Sequence, residues 1–148
     1  MSASCDPLPA DVYVEAALLG AALLDAKASA IVAELDPYDW YSPTHRTIAV
    51  AVVELVRAGH PVDPLTVADG IRHAGHHDIG VEILHRLFVE TPSVSSAGRY
   101  SSIVRRHARG RRLVHAAHEL STAAMTGDED QIRAAAGRIA TELGEEAP

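Results

Sequence analysis

Ser95-Ser96-Ala97-Gly98-Arg99-Tyr100-Ser101-Ser102-Ile103-Val104-Arg105-Arg106-His107-Ala108-Arg109-Gly110-Arg111-Arg112-Leu113-Val114-His115-Ala116-Ala117-His118-Glu119-Leu120 continues in helix formers to Ala124 without a proline. A helix over Ser96–Ala124 would be about 45 Å long at ~1.5 Å per residue, more than the core of so short a chain requires. The thirteen Lys and Arg residues of the chain include six between Arg99 and Arg112, with no acid among them. Net charge is accordingly −8 over residues 1–98, +6 over 99–112 and −5 over 113–148, giving −7 in all. Contact with phosphate or an acidic partner is therefore expected at the Arg segment and not over the whole surface.

Outward from this stretch, every signal is helical. The 148 residues are 47% hydrophobic, rich in Ala and Leu and poor in aromatics, which favours helix over sheet. Asp11 caps a first helix whose Val14, Leu18, Ala21 and Leu24 form one apolar face, with Gly20 at a close helix crossing. Ala28 to Leu35 is a second helix, stopped by Asp36-Pro37. Pro37-Tyr38-Asp39-Trp40-Tyr41 is an aromatic turn expected to plug the core. Ser42-Pro43 and Asp63-Pro64 pair an N-cap with Pro at the first helical position. They open helices to Ala58 and to about His73. Val81–Val89 is short and helical, Thr91-Pro92-Ser93 breaks it, and Ser95 or Ser96 caps the long helix. Gly127 ends that helix. Asp128 then caps a last one, with Ile132, Ala135, Ile139 and Leu143 on one face.

The expected fold is all-α: a compact head of about six short helices over residues 10–90, then an antiparallel helical hairpin over 95–143. Residues 1–9 read as a disordered tail and 144–148 as a loose acidic one.

Catalytic chemistry is sparse. The only Lys is Lys27, with no Gly-rich loop before it, so there is no P-loop and no expected ATP hydrolysis. Cys5 is the only cysteine, which excludes an internal disulfide and fits a reducing, cytoplasmic setting. No signal peptide or membrane span is present in the sequence. His73, His76 and His77 cluster, and His115 and His118 share a helical face, but no Cys pair or His-Glu-x-x-His completes a zinc site. No catalytic residue, metal or cofactor is expected. Arg105, Arg109 and Arg112 share one helical face, flanked by Arg106. No acid of the same helix is within reach until Glu119, so these four arginines are candidate contacts for nucleic acid or an acidic partner.

The order of residues resembles the N-terminal domain of DnaB-type bacterial replicative DNA helicases. Val14–Leu24 is similar to that family's opening helix, with an acidic residue and a Leu-Gly pair. Leu35-Asp36-Pro37-Tyr38-Asp39-Trp40-Tyr41-Ser42-Pro43-Thr44-His45-Arg46-Thr47-Ile48 resembles its aromatic turn and following helix. Gly59-His60-Pro61-Val62-Asp63-Pro64-Leu65-Thr66 resembles its G-x-P-x-D-x-x-T segment. Thr91-Pro92-Ser93, then Tyr100, Ile103, Val104 and Arg111-Arg112-Leu113, resembles the start of its hairpin. Gly110 departs from the bulky aliphatic residue the family prefers.

The resemblance implies a non-catalytic oligomerisation and docking module for DNA replication, separate from the motor domain. Implied partners are copies of itself (a dimer or higher oligomer, a ring included), primase and helicase subunits. For hairpin pairing, Tyr100, Ile103, Val104, Gly110, Val114 and Ala117 are the candidate seam, and Gly110→Leu is expected to strengthen it. The alternative expectation is an accessory protein that binds single-stranded DNA weakly through Arg105, Arg106, Arg109 and Arg112.

Overall fold

Capping chemistry places most of the helices. The computed structural model describes residues 8–144, and among these every element is helical. The oxygens of Asp11, Ser42, Asp63 and Asp128 accept backbone N–H groups in the turns that follow them, which starts four helices where the sequence predicts. The helices are α1 (Val12–Leu24), α2 (Ala26–Ala33), α3 (Pro43–Arg57), α4 (Pro64–His73), α5 (Val81–Val89), α6 (Ala97–Thr126) and α7 (Glu129–Gly144). Single 3-10 turns occupy Pro37–Asp39 and Val94–Ser96. The second one replaces the expected serine cap of the long helix. Ser96 and Ser95 spend their hydroxyls on the Ser93 hydroxyl, and the 3-10 turn leads directly into α6.

The chain forms two compact units, residues 10–106 and residues 107–148 with 1–9, so the division falls within α6. In the first unit, the head, α1 is packed by α2, α3 and α5. It is consequently buried from Ala17 through Leu23, where periodicity suggests a single apolar face, while Leu24 at its end is 44% exposed. Leu18, Leu19, Val32, Trp40, Ile48, Val52, Val67, Ile71 and Leu84 fill the core, each worth about 1.5–3 kcal/mol when fully buried. Gly20 marks a close approach. A Cβ there would collide with Thr91 Oγ1 and the Leu87 carbonyl, which are themselves hydrogen-bonded at 2.7 Å where α5 ends.

The aromatic turn plugs the core with Trp40 alone, at 1% exposure, while Tyr38 and Tyr41 face solvent. Asp36 and Asp39 cap the turn reciprocally. Arg46 clamps it from α3, donating to the Pro37 and Trp40 carbonyls at 3.1 and 3.0 Å and lying over the Tyr38 ring.

In the second unit, Gly127 adopts a left-handed conformation (φ 77°) and reverses the chain, and its N–H and that of Asp128 cap the Ala123 carbonyl. The last turns of α6 and the whole of α7 then run antiparallel. The fully buried residues of this unit are alanines, Ala108, Ala116, Ala123 and Ala135, with Leu113, Leu120, Ile132 and Ile139 half-buried, while Leu143, expected inside, is 55% exposed. The expected tails over 1–9 and 144–148 lie outside the described residues except for Leu8, Pro9 and Gly144. Gly144 closes α7, and Pro9 accepts a hydrogen bond from Arg111.

Candidate interaction surfaces on the long helix

The first three turns of α6 belong to the head. Val104 is 3% exposed within its core and Tyr100 packs against that core, so two of the candidate seam residues have partners in their own unit. Ile103 is half-buried, between exposed Arg99 and Arg106, in a shallow groove shared with Gly98 and Ser102. Arg105 donates to the Glu34 carbonyl at 3.4 Å, satisfying the end of α2.

Beyond His107, α6 has two distinct sides. At about 100° per residue, Gly110, Val114, Ala117, Ser121 and Met125 fall along one stripe, and Ile103 continues it. Ala116 and Ala123, buried in the hairpin, lie about 180° around the helix from Val114. The stripe therefore points away from α7. Val114 is 46% and Met125 87% exposed along it, and Ala117 is exposed. Gly110 is half-buried because Pro9 lies against it, so the expected Gly110→Leu gain meets an obstacle. A Cβ at Gly110 would already sit 3.2 Å from the Pro9 ring.

The arginines on the α7 side find acceptors there. Arg112 Nε donates to Glu142 Oε1 at 2.7 Å and Arg109 Nε to the Glu142 carbonyl at 3.2 Å. Further along, Arg138 pairs with Glu119, whose other oxygen lies 3.3 Å from His115 Nε2. Same-helix spacing leaves Arg109 and Arg112 without an acid because it ignores α7, thirty residues away in sequence. Arg106 is exposed, beside Ile103 in the groove of the head.

One charged site in the head was missed by the sequence reading. Glu15, 2% exposed on α1, accepts the N–H groups of Tyr41 (2.6 Å) and Ser42 (3.2 Å) and pairs with His45 Nδ1 (2.9 Å). An ionised carboxylate only accepts, so Nδ1 carries the proton in this contact. Burial acts to raise the Glu15 pKa. The His45 hydrogen bond, the two backbone N–H groups and the His45 charge outweigh it and hold the carboxyl below its ordinary value. Glu15 thus caps α3 from another helix, where macrodipole and orphan amides both favour a negative charge. The signal was present as the acidic residue of the opening helix and the histidine after the aromatic turn, but their contact spans thirty residues. His73, His76, His77, His115 and His118 are exposed, and no three His, Cys, Asp or Glu side chains converge for a metal among the described residues. None of the helices described is long and apolar enough to cross a membrane.

Comparison with known proteins follows the same division. The sequence model of the DnaB-like helicase N terminal domain matches residues 7–106, ending where the head ends. The chain is 37% identical over 111 residues to the replicative DNA helicase DnaB of Mycobacterium leprae (strain TN), covering 73% of this chain and 18% of that protein. Identity and chain coverage are the same for the replicative DNA helicase DnaB of Leifsonia xyli subsp. xyli (strain CTCB07), of which it covers 24%. It therefore spans no more than about a quarter of these curated relatives. The crystal structure of the N-terminal domain of DnaB helicase from Mycobacterium tuberculosis matches with a TM-score of 0.83 at 33% identity, over 90% of this chain and 98% of that one. The head, the long helix and the hairpin are thus those of a known architecture, and the chain belongs to the DnaB-like helicase N-terminal domain family.

Proposed function

We propose that this chain is a non-catalytic self-association and docking module of a bacterial DNA replication helicase system. The observation that carries the reading is the outward stripe on α6. Val114, Ala117 and Met125 stand exposed on the side away from α7, while Arg109 and Arg112 on the opposite side are engaged by Glu142. An apolar stripe along a helix whose charges are satisfied elsewhere suits helix pairing. On this reading the partners are further copies of the chain, in a dimer or ring, and through them helicase subunits or a primase. No P-loop occurs in the 148 residues, consistent with a part that does no ATP chemistry.

Sedimentation equilibrium of the full chain tests the reading. Val114→Glu places a charge in the seam and should weaken self-association by at least tenfold, or about 1.4 kcal/mol, with helix content unchanged. A chain that stays monomeric at high micromolar concentration, or a Val114→Glu variant that associates as well as the parent, would refute it. Weak binding of single-stranded DNA draws less support, because Arg105, Arg109 and Arg112 each donate within the chain.

A further inference from the structure

Gly110 interrupts the long helix at a cost of about 1 kcal/mol relative to Ala, so something else must favour it there. Two adjacent contacts supply a reason. A Cβ on Gly110 would lie 3.2 and 3.3 Å from Cγ and Cβ of Pro9, closer than a comfortable packing contact. The next residue, Arg111, donates from Nη1 to the Pro9 carbonyl at 2.8 Å. The pyrrolidine ring rests on bare helix backbone, and the carbonyl just beyond it is tied down by a guanidinium. Proline suits the position: its φ is already fixed, so seating it costs less conformational entropy than seating another residue, and it has no N–H to leave unsatisfied.

Gly110 lies on the same stripe of α6 as Val114 and Ala117. The Pro9 ring covers the Gly110 end of that stripe and leaves Val114, one turn on, 46% exposed. We propose that Leu8–Pro9 is a latch, seated by Pro9 on Gly110 and held by Arg111, which competes with a second copy of the chain for the pairing face of α6. This rests on the pairing reading above, and adds that the face is regulated from within the same molecule. A partner that takes up Leu8–Pro9 would free the face and promote assembly. Because both copies must open, the apparent dissociation constant is the intrinsic one divided by the square of the fraction of molecules with the latch open.

The test uses the full chain and Pro9→Gly, which removes the ring and leaves α6 unchanged. In both proteins Cys5, the only cysteine, is replaced by serine and Leu8→Cys, beside Pro9, takes a nitroxide label. Amide signals of α6 around Gly110 should be broadened by the label in the parent and recover in Pro9→Gly. Sedimentation should show the variant self-associating about 25-fold more tightly, as expected if one parent molecule in about five is open and both copies must be open to pair. The same broadening in both proteins, or none near Gly110 in the parent, would overturn the latch. Lost broadening with an unchanged dissociation constant would overturn the competition while leaving pairing intact. Monomers throughout, with the latch seated in the parent, would overturn pairing and the competition built on it.

Discussion

Replacing Glu15 by glutamine changes one charged atom for a donor of nearly equal size inside the head, and the cost follows from its contacts. The carboxylate is 2% exposed and accepts from Tyr41 N, Ser42 N and His45 Nδ1. A glutamine keeps one oxygen and turns an NH₂ group toward at least one of these donors. It forfeits a charge-assisted bond worth about 1.5–3 kcal/mol and leaves a buried donor unpaired at about 1–3 kcal/mol. A loss of about 3 kcal/mol is expected, in the range for breaking a buried charged pair. Urea unfolding followed by Trp40 fluorescence measures it cleanly, because Trp40 is the only tryptophan and is buried beside Tyr41. The pH dependence supplies a second readout. A carboxyl held below its ordinary value of 4.5 stabilises the fold above that pH, and the contribution fades as pH falls through the lowered value. The parent should therefore lose stability below about pH 4.5 more steeply than Glu15→Gln. A stability loss under about 1 kcal/mol, with parallel acid limbs, would refute the view that Glu15 caps α3 as a carboxylate.

Other substitutions probe other contacts. Gly20→Ala should destabilise the head by about 1–3 kcal/mol, despite alanine's better helix propensity, because α5 must move off Thr91 and Leu87; calorimetry would show it, and a stabilised variant would contradict the close approach. Asp63→Ala removes the acceptor for Leu65 N and Thr66 N, both at 2.9 Å, and should cost about 1 kcal/mol in denaturant titration. Arg112→Ala should change global stability by no more than about 1 kcal/mol, since Arg112 is 45% exposed. It should nonetheless speed amide exchange in the last turn of α7, and unchanged exchange would mean that the Glu142 contact does not hold that turn.

Local chemistry was legible in the sequence and distant pairing was not. The caps at Asp11, Ser42, Asp63 and Asp128 act within three residues, so the residues that signal a helix are those that make it. The helical fold and the hairpin turn at Gly127 followed from such signals. What the sequence does not show is the partner that lies far away along the chain. Tyr100 and Val104 read as free seam residues because periodicity gives a helix an apolar face without saying what covers it, and here the head does. Arg109 and Arg112 read as charges seeking a partner because their acceptors, the carbonyl and the carboxylate of Glu142, lie on another helix. Gly110 read as a weakness in the helix, and its neighbour Pro9 stands about a hundred residues earlier in the chain. Glu15 and His45 stand in two separate segments of the family likeness, and nothing local to either shows that one caps the helix carrying the other.

The hairpin's alanine lining has a consequence for how its sequence can drift. Where the seam is most deeply buried, the methyl groups of Ala116, Ala123 and Ala135 close it, holding the two helices near each other while gaining little from each contact. Any larger residue at these positions wedges the helices apart, whereas a leucine seam can trade volume between neighbours. Smaller choices stop at glycine, which weakens the helix itself. These three positions thus accept little added volume, whereas the outward face of the same helix is constrained by what pairs with it and not by how the hairpin closes. Selection acting on this hairpin would be expected to change what it binds long before it changes how it folds.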